Sequence, residues 1–339
     1  MATKSGRTIL SVEEKSWKTV LFKWESILLF LFIIVNIVNA SISPLYLSVN
    51  GLFTATSSFL EKAFLVLPMV YVLIMGEIDI SVGSTVALSA VLMAMSFNAG
   101  VPMGLAIVIC LLVGAVCGFI NGLILTKFQE LAPMIVTLGT MTLYRGIAEI
   151  LLEDQPAGGL TAVEWFSNLY WGSIGGVVPY MFVVFVIFAV IFGLVLHKTI
   201  FGRCLYAIGS NRVAAKYSGI AVQRNRLIVY TITGLLAGVT AVFLAARMGS
   251  TRSNIAEGYE LEAISMVVLG GVSSAGGKGN FLGAMISIFI VGFLRYGLGL
   301  INVPVQWITL IIGSLLIIAV LLPNLKLGNL ISKIRNKNK

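Results

Sequence analysis

Apolar stretches about twenty residues long recur along nearly the whole of this 339-residue chain, separated by short polar turns. A helix crossing the hydrocarbon core of a bilayer needs roughly 20 such residues. Ten runs fit, at 26–47, 52–75, 79–98, 103–126, 133–152, 179–197, 227–247, 260–274, 280–300 and 304–322. The eighth is short, and the second carries Glu61 and Lys62. Only 11% of the residues are charged and 58% are hydrophobic, whereas a soluble domain is about a quarter charged. These features predict an all-α integral membrane protein, a polytopic bundle of about ten transmembrane helices. Eight prolines and no long polar tract leave no room for a separate soluble domain. The first ~25 residues are too polar for a cleavable signal peptide, so the run from Ile27 is expected to act as an uncleaved anchor.

Charge sets the expected orientation. Lysine and arginine are enriched in cytoplasmic segments. Lys4, Arg7, Lys15, Lys18 and Lys23 precede the first run, and Lys326, Lys333, Arg335, Lys337 and Lys339 follow the last. An even number of crossings puts both termini in the cytoplasm, together with Lys127 and Lys278, and leaves Glu153, Asp154 and Glu164 outside. Four segments follow: an N-terminal interfacial helix over 1–25, one transmembrane domain over 26–322 containing a cytoplasmic loop at 198–226, and a basic tail at 323–339. Trp17, Val20, Leu21 and Trp24 recur at helical spacing beside lysines, as in a helix lying at the membrane surface. The one long external segment, 153–178, breaks at Pro156, Gly158 and Gly159, and Trp165, Phe166, Tyr170 and Trp171 then predict a short interfacial helix. It is either a membrane anchor or a contact for an external partner.

Several function classes are disfavoured. A net charge of +9 gathered in cytoplasmic segments serves orientation, and no basic face interleaved with aromatics points to nucleic acid. Cys110, Cys117 and Cys204 are too few and scattered for a disulfide framework or a metal site, and read as packing residues. The single histidine, His197, stands beside Lys198 at a predicted helix end, where it meets the last carbonyls. No catalytic set surrounds it.

The remaining motifs are membrane motifs. Gly114, Gly118 and Gly122 repeat every fourth residue on one face of the fourth run, and Gly234 and Gly238 repeat the spacing in the seventh. Small residues at this spacing let helices approach closely in a bilayer. Asn121, beside Gly122, needs partners for its amide, and either ties two helices or faces a polar pathway. Gly76-Glu77-Ile78-Asp79-Ile80-Ser81-Val82-Gly83-Ser84 joins the second and third runs, and Asp79 is expected to cap the third helix with help from Ser81 and Ser84.

The loop at 198–226 carries Lys198, Arg203, Arg212, Lys216, Arg224 and Arg226 and no carboxylate. At its centre, Ala214-Ala215-Lys216-Tyr217-Ser218-Gly219 predicts a short helix of small residues closed by a left-handed glycine. This loop resembles the Ala-Ala-x-x-x-Gly coupling loop of permease subunits of ABC importers. The Gly76–Ser84 stretch resembles the Gly-Gly-Ile-Asp-Leu-Ser-Val-Gly signature of sugar permeases of the ribose type, with Glu77 in place of the second glycine. Pro133–Met141 with Tyr144-Arg145-Gly146, Phe201-Gly202-Arg203, Tyr206–Asn211, and the glycine-rich 268–283 segment extend the resemblance over about 70–320.

The resemblance implies a transmembrane permease subunit in a bacterial cytoplasmic (inner) membrane. It is expected to pair with a second permease subunit as a homo- or heterodimer, to bind an ABC ATP-binding subunit below, and to receive its cargo from an extracytoplasmic sugar-binding protein. The cargo is expected to be a ribose- or rhamnose-type sugar or autoinducer-2. No cofactor is expected on this chain, and ATP and Mg belong to the partner ATPase. The glycine-rich loop lacks the Gly-Lys-Ser/Thr ending of a phosphate cradle. Arg203, Asn211, Arg212, Ala214, Ala215 and Gly219 are the expected ATPase-coupling residues, and Asp79, Ser81 and Gly83 form an inner-mouth motif. A neutral polyol needs neutral donors and acceptors, which makes Asn121, Thr137, Thr140 and Gln306 candidates for the translocation pathway. The alternative is an ion-coupled secondary transporter. Such a carrier places carboxylates deep in its helices, whereas Glu61, Glu77, Asp79, Glu149 and Glu262 are read near the ends of the runs. Of these Glu149 is the deepest, with Arg145 one turn away as a partner.

Overall fold

The computed structural model describes residues 24–43, 46–153 and 155–324. The predicted surface helix over 1–25 and the tail over 323–339 lie almost wholly outside them. Ten helices stand where the ten runs were read, the first five being α1 (Trp24–Ile42), α2 (Val49–Ile74), α3 (Val82–Asn98), α4 (Met103–Lys127) and α5 (Pro133–Leu152). Between α5 and α7 (Tyr180–Lys198) lies the short helix α6 (Glu164–Trp171). Phe166 and Tyr170 bury one face of α6, while Trp165 and Trp171 stay exposed. The all-α expectation missed a two-residue hairpin, β1 (Ser173–Ile174) with β2 (Val178–Pro179), paired antiparallel around Gly175 and Gly176.

The basic loop folds into α8 (Ile200–Ser210) and α9 (Arg212–Tyr217), followed by α10 (Val222–Met248), α11 (Tyr259–Leu269), α12 (Phe281–Leu300) and α13 (Val305–Asn324). Among the described residues seven helices, α1, α2, α4, α5, α7, α10 and α12, are long and apolar enough to cross a membrane, and the chain is an integral membrane protein. Helix α3 and the apolar Val305–Leu315 part of α13 are shorter. The eighth run, read over 260–274, is helical for only 11 residues. At 1.5 Å per residue that is about half the thickness of the hydrocarbon core. It stops because Gly271 turns left-handed at φ +85 and the chain enters a glycine-rich loop.

Helix α2 is the axis of the bundle. From Ala63 to Ile74 it is apolar all round, as a helix enclosed by others must be, and α7, α10, α11 and α12 pack about it. Ser48 caps it by accepting the Gly51 N–H at 3.0 Å. Around it, Phe59 and Phe64 set edge-to-face contacts with Phe289, Phe293 and Phe185.

Helices α4 and α10 form the closest pair, and their glycines explain why. A Cβ on Gly118 would overlap the Tyr230 carbonyl and come within 2.9 Å of the Gly234 nitrogen. A Cβ on Gly234 would come within 2.7 Å of the Gly118 nitrogen. The two glycine repeats therefore face each other within one subunit. Cys110 and Cys117 are buried packing residues on α4.

Candidate functional site

Five elements meet at the end of α2: the turn into α3, helices α8 and α9, the start of α10, and the glycine-rich loop after α11. The sequence brings them together by removing side chains. Gly209 of α8 has no room for a Cβ, which would overlap the Ile74 carbonyl and approach the Gly277 nitrogen to 2.5 Å. Gly76 and Gly276, both left-handed, pack backbone to backbone. The Gly277 N–H donates to the Ile74 carbonyl at 2.8 Å. Tyr206 of α8 donates to the Gly279 carbonyl at 2.9 Å, and burial raises its pKa above the ordinary phenol value, keeping it a neutral donor. Trp24 closes the far side, its indole N–H donating to the Leu269 carbonyl at 2.9 Å.

Helix α9 covers the predicted small-residue segment. Asn211 caps it by accepting the Ala214 N–H at 2.9 Å, and Gly219 ends it at φ +82. Ala215 is buried against the subunit, whereas Val213 and Ala214 are exposed and Tyr217 is 88% exposed. A short helix thus presents an apolar knob on a basic, otherwise polar surface. Arg203 is exposed on α8.

Arg212 opens α9 and turns inward to Glu77. The Arg226 Nε reaches the same carboxylate at 2.9 Å, and its Nη1 donates to the Leu125 carbonyl at the end of α4. Glu77 and Arg226 are both buried. A buried carboxylate needs such partners to stay charged.

Two residues on, the Asp79 Oδ1 accepts from the Ser81 N–H at 2.9 Å and from its hydroxyl at 2.7 Å. Asp79 therefore fixes the approach to α3 and does not cap its first-turn amides, as the sequence had suggested. Ser84 and Thr85 donate to the Ser81 carbonyl. The Asn121 amide donates to the Ser81 hydroxyl at 2.8 Å, and Tyr144 donates to the Asn121 carbonyl oxygen at 3.0 Å. A buried polar chain runs from the turn through α4 to α5. Thr137 donates to the Pro133 carbonyl at 3.0 Å and Thr140 to the Thr137 carbonyl at 3.3 Å, both buried beside it. Gln306 is exposed on α13 and does not join them. Gly83 faces the 256–260 segment, where a Cβ would collide with Glu260 and approach the Ala256 carbonyl to 2.7 Å.

Sequence reasoning missed one cluster. Glu61 stands mid-way along α2 rather than near an end, and is fully buried. Arg247 reaches it at 2.8 Å and Tyr259 donates to it at 3.2 Å. Beside it, Glu262 binds Lys62 at 2.9 Å and Arg295 at 2.5 Å. The signal was present, because five charged side chains inside predicted spans have to neutralise one another. Arg145 also departs from expectation. Its Nη1 donates to the Ser253 and Ile255 carbonyls at 2.5 and 2.8 Å, and Glu149 is exposed.

Residues 51–321 match the family described as branched-chain amino acid transport system / permease component. The autoinducer 2 import system permease protein LsrD of Escherichia coli (strain K12) is 38% identical over 304 residues, covering 88% of this chain and 91% of the relative. The proteins of the same description from Shigella flexneri and Escherichia coli O157:H7 match with the same identity and coverage. No solved structure matches the chain. The resemblance of its sequence blocks to importer permeases is borne out, and the chain belongs to this family of permease components of transport systems.

Proposed function

We propose that this chain is the transmembrane permease subunit of an ATP-driven importer for a monosaccharide or sugar-like molecule of the ribose, rhamnose or autoinducer-2 type. The relatives named above act in autoinducer 2 import, which supports the sugar-like end of that range. The observation that carries the reading is α9: a capped single-turn helix, closed by Gly219 and exposing Val213, Ala214 and Tyr217 from a basic loop. A carrier that powers itself has no use for such a docking element.

On this reading the chain crosses the inner membrane of a bacterium about ten times, with both termini in the cytoplasm. A second permease subunit, the same chain or a different one, completes the pathway. An ABC ATP-binding subunit grips Arg203 and the Asn211–Gly219 segment and supplies the ATP and Mg chemistry. An extracytoplasmic binding protein delivers the cargo from above. Closure of the ATPases moves α9, and the bundle alternates between outward and inward openings. Asn121, Thr137 and Thr140 stand on the elements that move, as pathway or hinge groups.

The alternative of ion coupling would draw on Glu61, but its pairing with Arg247 and Tyr259 makes it a neutralised structural charge. Gentle detergent extraction of the tagged chain from its native cell, followed by mass spectrometry of its companions, tests the reading. An ATPase subunit recovered with the chain is the expected result. Recovery of the chain alone, with no ATPase crosslinked through 211–219, would overturn it.

A further inference from the structure

Glu77 is tied to two arginines of different standing. Arg226 lies in the second turn of α10, its side chain only 4% exposed, and is anchored a second time on the Leu125 carbonyl of α4. Its Nη2 finds no partner among the described residues, so only Glu77 neutralises it. That pair holds the carboxylate fixed to α4 and α10. Arg212, the first residue of α9, is 40% exposed and reaches the same carboxylate from the cytoplasmic side. Among the described residues Arg212 is the one charged link from α9 into the buried turn.

From that turn the path into the bundle is short. The backbone runs from Glu77 to Asp79, which holds Ser81, which accepts from Asn121, which accepts from Tyr144. On the other side, Gly76 packs against Gly276. A displacement of α9 therefore acts on α3, α4, α5 and α10 through one carboxylate. We infer that Glu77 is the strut that carries movement of α9 into the membrane bundle, with Arg212 as the detachable end and Arg226 as the fixed one. It is a positioning residue, touching neither cargo nor nucleotide, and its role rests on the coupling reading above.

Arg212→Gln is the clean test, because Arg226 still neutralises Glu77 and the fold has no stranded charge. Glu77→Gln is the harsher companion, since it leaves Arg226 buried without a counter-ion. Arg224→Gln, an exposed residue of the same loop, controls for the loss of a positive charge. In the purified chain, Arg212→Gln is expected to speed amide exchange over 211–219 by about tenfold, the equivalent of one charge-assisted hydrogen bond, with Arg224→Gln at the wild-type rate. In the assembled transporter in vesicles, the cargo moved per ATP hydrolysed is expected to fall several-fold in Arg212→Gln. Unchanged exchange overturns the strut. Faster exchange with wild-type transport per ATP also overturns it, leaving a local anchor only. If the wild-type chain binds no ATPase, the coupling reading fails and takes the strut with it, an outcome distinct from a wild-type complex that couples and a variant that couples equally well.

Discussion

Gly118 and Gly234 face each other across the α4–α10 contact so closely that a Cβ on Gly234 would come within 2.7 Å of the Gly118 nitrogen. The atoms in the way are backbone, which cannot rotate aside as a side chain can. Gly234→Val is therefore expected to force the helices apart and destabilise the chain by about 3 kcal/mol, the upper range for overpacking. Its thermal unfolding midpoint in detergent should fall well below that of Gly139→Val, whose site faces open space. Equal midpoints would refute the packing assignment.

The Asn121 amide joins α4 to both Ser81 and Tyr144. Asn121→Ala removes both bonds while Ser81 still donates to Asp79 and Tyr144 to the Cys117 carbonyl, at about 1–3 kcal/mol for the two lost hydrogen bonds. Asn121→Asp keeps the acceptor for Tyr144 and loses the donor to Ser81. If the network is purely structural, transport per surviving protein is unchanged in the alanine variant and only its amount in the membrane falls. If Asn121 also contacts cargo, transport per protein falls as well. Quantified uptake against membrane abundance separates the two.

Arg247 supplies the direct counter-charge of Glu61 within the span. Arg247→Met leaves that carboxylate with only Tyr259 and the more distant Lys62. Loss of one partner from a buried pair costs about 3 kcal/mol, and the half-exposed guanidinium places this case at the lower end. The double variant Glu61→Gln with Arg247→Met should recover much of the loss, because no charge is then stranded. A double variant no more stable than Arg247→Met alone would show that the two residues do not act as a pair. The comparison is made by thermal unfolding at fixed detergent.

Much of this arrangement was legible in the residues because it follows from periodicity. Runs of about twenty apolar residues locate helices without reference to partners, and the spacing of Gly114, Gly118, Gly234 and Gly238 identifies faces that must meet something small. The α9 helix was readable from Asn211 to Gly219 because capping and left-handed termination are local chemistry. Pairings between distant segments were not readable. Glu77 meets Arg212 and Arg226 from positions 135 and 149 residues away, and nothing in local pattern chooses those arginines over Arg203 or Arg224. Glu61 was misplaced for a related reason. The run read over 52–75 begins three residues after α2 does, and within α2 the polar Thr56, Ser57 and Ser58 return their hydroxyls to the carbonyls of the preceding turn, so the helix runs straight through.

Gly219 offers a way to separate docking from folding. Its φ of +82 disfavours most side chains, but a Cβ there would meet nothing within the subunit. Asparagine tolerates the left-handed region, so Gly219→Asn should preserve both the α9 stop and transport. Gly219→Trp adds a large ring with free space inside the chain and none inside a partner cleft. Its folding cost is the left-handed strain, about 1–2 kcal/mol, and membrane abundance should fall no more than modestly. Transport and ATPase recovery are expected to drop by at least about tenfold, since 1.4 kcal/mol of lost docking energy is already tenfold in affinity. A tryptophan variant that imports normally and retains the ATPase would show that the partner does not close over this end of α9, and the docking surface would then have to lie on α8 around Arg203.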